Sequence, residues 1–230
     1  MATWKSFRQK KLRNRPVSPD SSESRKKEKV ALFGGTFDPV HYGHLQLAEW
    51  IKDKLQLDRV IFIPVRIHPF HKRQDIASPE HRLAMLQRAV SVYKNFEVNP
   101  IELEREDVSY TVDTLRTLQK TYPAAELYFL IGDDNLADFH KWKEPDEIRR
   151  LAKIVVFRRD GIHKDVKRRY PDFIHLDNPL INISSSRIRE YLYSGKKVDD
   201  FIPPLIYEYI MQHGLYGAGA DKNQGNFSRK

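Results

Sequence analysis

The sequence predicts an α/β fold: a doubly wound parallel sheet with helices on both faces. Apolar runs rich in β-branched and aromatic residues alternate with segments of helical period, as expected for repeated strand-helix units. The chain has 230 residues, 40% of them hydrophobic, which is enough for one globular domain with a substantial core. It has no cysteine, which excludes disulfides and thiolate metal sites and fits a reducing compartment. We therefore expect a cytoplasmic protein.

The strands are predicted from apolar runs that end at turn residues. The first run, Lys29–Phe33, ends at a pair of glycines, and the second, Arg59–Pro64, ends at a proline. Ligands bind at the carboxyl ends of strands in such folds, so the loops after the strands are candidate sites. The remaining predicted strands are Phe96–Asn99, Glu126–Ile131, Ile154–Phe157 and Phe173–Leu176.

The helices are predicted from the 3.6-residue period and from capping residues. One apolar stripe runs from Leu45 to Leu55, and Ser78 followed by Pro79 is typical of a helix start. The arginines of this second helix, including Arg82, are expected on its solvated face. Further helices are predicted near Thr111–Tyr122, Asp134–Lys141, Asp146–Ala152, Ser185–Tyr193 and Pro203–His213.

The net charge of +9 is concentrated at the two ends of the chain. Residues 1–29 hold ten Lys and Arg against three acidic residues, and residues 217–230 hold three against one. This leaves residues 30–216 neutral overall. We expect a basic disordered extension over 1–29, a folded domain over 30–216 and a flexible tail over 217–230. No apolar run approaches the roughly 18 residues of a membrane-spanning helix, so no membrane partner is expected.

The loop that follows the first strand has residues that suit a phosphate group. Gly34 and Gly35 let backbone N–H groups approach an oxyanion, Thr36 adds a hydroxyl, and the next helix presents its positive N-terminal end. The spacing is neither that of the dinucleotide fingerprint nor that of the P-loop. His41 and His44, three residues apart, can share one face and donate N–H groups to a phosphate.

The string Gly34–Leu45, GGTFDPVHYGHL, resembles the (H/T)-x-G-H motif of nucleotidyltransferases, and in particular that of the bacterial nicotinate-nucleotide adenylyltransferase family. Other segments in the family's order extend the resemblance over about residues 29–216, and it implies a Rossmann-like nucleotidyltransferase fold. The chain departs from the family pattern at Phe70, Asp133 and Asp160. The supporting segments are His71-Lys72, Ser109–Leu115 (SYTVDTL), Phe129–Asn135 (FLIGDDN) with Trp142, and Ile183–Arg189 (ISSSRIR).

The resemblance implies transfer of the AMP moiety of ATP to nicotinate mononucleotide in NAD biosynthesis. The phosphate of the mononucleotide attacks the α-phosphate of ATP in line and gives deamido-NAD and pyrophosphate, so no covalent nucleophile is needed. Mg²⁺ is implied as a companion of ATP, held mainly by phosphate oxygens and water and not by a protein metal site.

The resemblance also implies roles for individual residues. The implied catalytic set is His41, His44, Lys72 and Arg187, with His44 stabilising charge at the α-phosphate. ATP is expected to contact Gly34, Gly35, Thr36, Phe37, His41, His44, Gly132, Asp134, Ile183, Ser184, Ser185, Ser186 and Arg187. The mononucleotide is expected to contact Lys72, Ser109, Tyr110, Thr111, Trp142 and Arg159.

Several alternatives stay open at this point. Trp142 can stack on a pyridine ring, and the helix start at Tyr110 and Thr111 favours a carboxylate over a neutral amide, yet nicotinamide mononucleotide or another phosphate acceptor remains a rival substrate. Taken alone, Trp142 is more often a packed aromatic than a ring stacker, and Ser184–Ser186 is more often a helix cap or loop than a binding segment. A rival of another class is nucleic-acid binding through residues 1–29, which the neutral domain disfavours. The sequence leaves the oligomeric state open.

Overall fold

The computed structural model describes residues 27–66, 76–105, 108–159 and 164–218, with the backbone alone for 164–166. Six parallel strands form a sheet in the order β3-β2-β1-β4-β5-β6, which confirms the predicted doubly wound, Rossmann-like architecture. The strands are β1 Lys29–Gly35, β2 Arg59–Pro64, β3 Phe96–Val98, β4 Glu126–Gly132, β5 Lys153–Phe157 and β6 Ile174–His175.

Helices connect these strands and cover both faces of the sheet. The described helices are α1 Tyr42–Leu55, α2 Pro79–Val90, α3 Thr111–Thr121, α4 Asp133–Leu136, α5 Pro145–Leu151, α6 Lys164–Arg169, α7 Ser185–Tyr193 and α8 Pro204–Gln212, with 3-10 turns at Phe139–Lys141 and Leu215–Gly217. Ser78 caps α2 by accepting a hydrogen bond from the His81 N–H, and Pro79 is its first residue, as predicted. No helix in the described ranges is long and apolar enough to cross a membrane.

The continuous helix predicted over Asp134–Lys141 is wrong. The chain forms one α-helical turn, α4, and then the 3-10 turn Phe139–Lys141. Backbone bonds from Asp138 N–H to Asn135 and from Lys141 N–H to Asp138 span three residues and tighten the segment. This tightening buries Leu136 and Phe139 together, one on each side of the break.

The two faces of the sheet carry separate apolar clusters, as alternation along β1 requires. Ala31 and Phe33 belong to the cluster formed with α1, α2, α7 and α8. Val30 and Leu32 belong to the cluster formed with α3 and α5. Burying both faces of β1 makes it the rigid centre of the sheet.

The strand order reverses at β1, which lies between β2 and β4. Chain segments leave this switch point in opposite directions and open a crevice at the carboxyl ends of the strands. The loop after β1 and the turn after β4 therefore border the same crevice. The division into extension, domain and tail stays a prediction, since residues 1–26 and 219–230 lie outside the described part.

Candidate active site

The loop between β1 and α1 is fixed by a buried aromatic ring. A Cβ at Gly35 would lie 2.9 Å from Cζ of Phe37, so the ring packs where only glycine leaves room. Phe37 has a φ of 50°, in the left-handed region, and is 2% exposed, with its ring against Phe33 and Phe62. Since the ring lies in the core, Phe37 would meet a nucleotide through its backbone.

A buried arginine of α2 also holds this loop in place, although the sequence predicted it on a solvated face. Arg82 of α2 is 0% exposed and not on a solvated face. Its guanidinium donates to the carbonyls of Thr36 at 2.9 Å, Val65 at 2.8 Å and Ala77 at 3.1 Å. Position 82 is in phase with the buried stripe at Met85 and the residues after it, so the helical period did carry a signal of burial.

The two histidines of the motif lie together at the start of α1. Their rings stack with centroids 3.7 Å apart, and His44 also contacts the rings of Phe33 and Phe37. The backbone N–H of His41 donates to His44 Nδ1 at 3.3 Å. Because Nδ1 accepts this bond, the proton of a neutral His44 sits on Nε2, which becomes a donor.

Burial keeps both histidines neutral. It lowers the pKa of His41 to about 3, and the positive charge of Arg159 lowers it further. The pKa of His44 is also well below its usual range because of burial, then of His41 and Arg159. His41 is 5% exposed and its Nδ1 is a buried polar atom with no hydrogen-bond partner. Such an atom is available for a hydrogen bond with a polar group of a bound ligand.

The N-terminus of α7 lies against this loop. Ser185 Oγ donates to the carbonyl of Pro39 at 3.0 Å, and Ser184 caps the helix by accepting from the Arg187 N–H at 3.3 Å. The exposed Arg187 guanidinium donates to the Tyr191 hydroxyl at 2.8 and 3.0 Å. Ser184 is thus a helix cap and Ser185 a loop anchor, and the bond to Pro39 brings the helix start, with its positive dipole end, next to the loop that leads to His41.

The turn after β4 is joined to the loop after β5 by two aspartates. Asp134 Oδ2 lies 3.2 Å from Nη1 of Arg159, and Asp133 Oδ1 accepts the Arg159 N–H at 3.0 Å. A Cβ on Gly132 would lie 2.3 Å from Asp134 Oδ1, so glycine is required for this carboxylate position. Asp133, a departure from the family pattern, therefore anchors the β5 loop.

One cavity of about 410 Å³ runs from the end of β1, where the loop to α1 begins, to an aromatic pocket around Trp142. We call that loop, residues 36–41, the phosphate loop; neither its residues nor His44 are among the described residues that line the cavity. Its wall includes Gly34 and Gly35 at one end and Trp142 at the other, with Gly132 and Arg159 also in the lining. This volume is in the range of small-molecule sites. The cavity brings together residues that are more than 100 positions apart in the sequence.

Trp142 is both a packed aromatic and a wall of the cavity. Its ring lies 6.1 Å from that of Phe129 and 5.4 Å from that of Phe139, measured between centroids. These contacts fix the orientation of the indole. The sequence left open whether Trp142 is a packed aromatic or stacks on a substrate ring. The two roles are compatible here, because packing against one part of the indole fixes the part that lines the cavity.

The start of α3 opens on the same cavity. Ser109, Tyr110 and Thr111 all line it, and Tyr110, 39% exposed, is the N-cap residue. Lys143 Nζ lies 4.8 Å from the centroid of the Tyr110 ring and 2.9 Å from Asp113 Oδ2. A helix N-terminus together with a lysine favours an anionic group at this end.

The predicted residue Lys72, with Phe70 and Asp160, lies outside the described residues. Across the described ranges, no group of three or more His, Asp or Glu side chains is placed to hold a metal ion. The carboxylate closest in sequence to the histidines, Asp38, is 1% exposed and is bound within the protein.

Comparison with known proteins gives the family. A model described as cytidylyltransferase-like matches residues 32–191. The chain is 38% identical over 198 residues to a probable nicotinate-nucleotide adenylyltransferase of Clostridium tetani, which covers 82% of this chain and 99% of that protein. A protein of the same description from Dictyoglomus thermophilum is 41% identical over 194 residues, with the same coverage. The chain belongs to the nicotinate-nucleotide adenylyltransferase family.

Solved structures share the fold of this family member. A Plasmodium falciparum nicotinic acid mononucleotide adenylyltransferase complexed with NaAD superposes with a TM-score of 0.70 at 21% identity. The alignment covers 83% of this chain and 98% of that chain. The resemblance inferred from motifs is confirmed at the level of family and fold.

Three residues of this adenylyltransferase family member are absent from the sequence prediction of the site. Lys143 and Glu102 line the cavity, and Arg82 supports the phosphate loop. Glu102 accepts from Thr114 Oγ1 at 2.8 Å, and burial raises the pKa of its carboxyl. No motif marks Glu102 or Lys143, since their place in the wall depends on how α3 and α5 pack together.

Proposed function

We propose that this chain transfers the AMP moiety of ATP to nicotinate mononucleotide, and that the cavity described above is where the two substrates meet. The single observation that carries the proposal is the continuity of that cavity between the Gly34-Gly35 end and the Trp142 end. Direct transfer requires both substrates in one enclosure with their phosphates adjacent. The bacterial relatives carry the same activity in their names.

The reaction forms one bond and breaks one bond. A phosphate oxygen of the mononucleotide attacks the α-phosphorus of ATP, and the bond from that phosphorus to the β-phosphate bridging oxygen breaks. Deamido-NAD and pyrophosphate leave. The protein supplies position and charge stabilisation, so no covalent nucleophile is assigned.

We assign the phosphates of ATP to the β1 loop and the start of α7. Neutral His44 donates from Nε2 to a non-bridging oxygen of the α-phosphate, and His41 stacks beneath it and fixes its ring. Both rings are partly or fully removed from water, where a hydrogen bond to a developing charge is strongest. Arg187 and the α7 N-terminus receive the pyrophosphate.

The adenosine side is assigned to the turn after β4. Gly132 leaves room for the nucleoside, and Asp134 accepts from ribose hydroxyls after parting from Arg159, an ion pair that is partly exposed and therefore weak. Ile183, Ser184 and Ser186, at the start of α7, are assigned to ATP as well.

The mononucleotide ring is assigned to the Trp142 end. Its carboxylate meets the N-terminus of α3 at Tyr110 and Thr111, and Lys143 adds a positive charge there. A neutral amide gains less from both groups. We therefore propose preference for nicotinate over nicotinamide mononucleotide.

We propose that Mg²⁺ enters with ATP as part of the substrate. Oδ1 of Asp38, the carboxylate closest in sequence to the histidines, accepts bonds from Ala77 and Tyr216, and Oδ2 is buried beside Arg189, so we assign the ion to phosphate oxygens and water. It neutralises charge on the leaving pyrophosphate. We place the reaction in the cytoplasm, where ATP and a charged mononucleotide are both available.

The experiment that tests the proposal measures product by chromatography and mass, with ATP and Mg²⁺ and either nicotinate or nicotinamide mononucleotide. Deamido-NAD from the acid, at a kcat/KM well above that for the amide, is the expected result. Preference for the amide would overturn the assignment of the carboxylate to α3 and Lys143. No dinucleotide from either would overturn the proposed function.

A further inference from the structure

Tyr216 is far from the histidine motif in sequence. It lies in the 3-10 turn Leu215–Gly217, with a φ of 58° in the left-handed region. Its hydroxyl donates to Oδ1 of Asp38 at 2.6 Å across 178 positions of sequence. Asp38 is inside the phosphate loop, so the last described turn of the chain is bonded directly to the catalytic segment.

Asp38 is a buried carboxylate with several partners. It is 1% exposed, and its Oδ1 also accepts the Ala77 N–H at 3.0 Å. Oδ2 lies 3.5 Å from Nη1 of Arg189, which also donates to the Asp38 carbonyl at 2.8 Å. Burial raises the pKa of Asp38, and the bond from Tyr216 opposes that rise. Burial and the Asp38 charge raise the pKa of Tyr216, so its hydroxyl stays protonated and donates.

Three carbonyl groups of the loop are held by side chains from other elements. Arg82 binds the Thr36 carbonyl at 2.9 Å, Arg189 binds that of Asp38, and Ser185 binds that of Pro39. The N–H of a trans peptide unit points away from its carbonyl. Holding the carbonyls of Thr36 and Pro39 in place therefore also fixes the directions of the N–H groups of Phe37 and Val40.

We propose that Tyr216 is a positioning residue for adenylyl transfer, which acts through Asp38 on the phosphate loop and touches neither substrate. The inference rests on the proposed function, because its test measures the rate of adenylyl transfer. The buried carboxylate sits three residues before His41 and is oriented by a hydroxyl from outside the motif. Loss of that hydroxyl leaves the loop free to shift relative to the α-phosphate while the Trp142 end is unchanged.

The competing explanation is that Tyr216 only fastens the end of the chain to the domain. In that case its hydroxyl would contribute to stability and the kinetics would not depend on it. A matched residue separates the two explanations. Tyr209 of α8 is buried in the same apolar cluster, and its hydroxyl bonds at 2.9 Å to Nδ1 of His81 on α2 and not to Asp38.

The test compares Tyr216→Phe with Tyr209→Phe in the full chain, at saturating ATP and Mg²⁺. We expect Tyr216→Phe to lower kcat about tenfold, the effect of one hydrogen bond to a charged group, and to leave KM for nicotinate mononucleotide within about twofold. Tyr209→Phe is expected to keep kcat within about twofold of the wild type. Urea unfolding of both variants measures their stability separately.

The pH profile gives a second readout that a fastening role would not move. Without the Tyr216 hydroxyl, the pKa of Asp38 rises further, since Arg82, Arg189 and the Ala77 N–H are then its remaining charged or donating partners. The acidic limb of kcat/KM is therefore expected at higher pH in Tyr216→Phe than in the wild type, and unmoved in Tyr209→Phe.

A wild-type kcat in folded Tyr216→Phe would overturn the proposal, as would equal losses in the two variants. If Tyr216→Phe does not fold, Asp38→Asn is the test variant, because it removes the carboxylate charge that Tyr216 contacts with little change in side-chain size. Lower kcat with an unchanged KM for the mononucleotide supports the proposal, and a wild-type kcat overturns it. A wrong proposed function gives a different result, because the wild type itself would then form no deamido-NAD.

Discussion

The two ends of the cavity are built in different ways. The phosphate end, next to Gly34 and Gly35, is anchored by the buried Phe37 ring, the buried Arg82 guanidinium and the buried His41, on which the half-buried His44 stacks. The ring end, around Trp142, is lined by partly exposed side chains, among them Tyr110. It also has ion pairs, such as Lys143 with Asp113, that water and salt can screen.

The difference indicates a division of labour. Rigid, water-poor donors stabilise charge that develops in the transition state, so the phosphate end is suited to determine kcat. Exposed aromatic and charged groups bind the ground state and the transition state alike, so the ring end is suited to determine KM and substrate choice. The predictions below test this division, from the largest expected effect to the smallest.

Replacing His44 tests the phosphate end most strongly. His44→Ala is expected to lower kcat by about 10² or more, the loss for one donor to a developing oxyanion, with little change in KM for nicotinate mononucleotide. His44→Asn serves as the control, because its side-chain oxygen can still accept the His41 N–H while the Nε2 donor is lost. A steady-state assay in which His44→Asn keeps wild-type turnover would remove the Nε2 donor from the mechanism.

The burial of His41 predicts a dependence of stability on pH. Its pKa is about 3 in the folded chain and about 6.5 when unfolded, so below pH 6.5 the unfolded state binds the proton first. Stability is therefore present above pH 6.5 and is lost as the pH falls towards 3. The loss between pH 7 and pH 5 is about 2 kcal/mol.

Urea unfolding at pH 7 and pH 5 measures this loss in the wild type and in His41→Asn, which keeps a good helix-capping residue without a titrating ring. The variant is expected to lose about 2 kcal/mol less than the wild type between the two pH values. Equal losses in the two proteins would mean that His41 is protonated in the folded state.

Replacing Trp142 tests the ring end. Trp142→Ala is expected to raise KM for nicotinate mononucleotide about tenfold, the value of one lost stacking contact, and to leave kcat and KM for ATP nearly unchanged. Trp142→Phe keeps an aromatic face and is expected to lie close to the wild type. Equal increases in KM for both substrates would argue against a ring at this position.

Lys143 is expected to make the smallest contribution. Lys143→Met removes the positive charge near Tyr110 and is expected to lower the preference for acid over amide about threefold to fivefold at low salt, since exposed charge pairs contribute up to about 1 kcal/mol. The effect should shrink in high salt. Lys143→Arg is the control that keeps the charge, and a loss in both variants would assign the effect to shape.

Much of this arrangement could be predicted from sequence, and the limits have physical causes. The strands follow from apolar runs, and the loop after β1 follows from its glycines and from strand ends as ligand sites. The family motif then located the histidines and Trp142.

The wrong predictions share one cause: each of these features depends on long-range packing. Arg82 is buried because the Thr36, Val65 and Ala77 carbonyls converge on it from separate segments. The segment predicted as one helix from Asp134 instead forms two short turns, which bury Leu136 and Phe139 on either side of the break. Local propensity does not contain this information.

The most direct test of the division of labour is a double-mutant cycle on kcat/KM for nicotinate mononucleotide with His44→Ala, Trp142→Ala and the double variant. If the two ends act independently, the fold-losses of the single variants multiply in the double variant to within about twofold. A double variant no worse than the poorer single variant would show that both residues act on the same step, and would contradict the account.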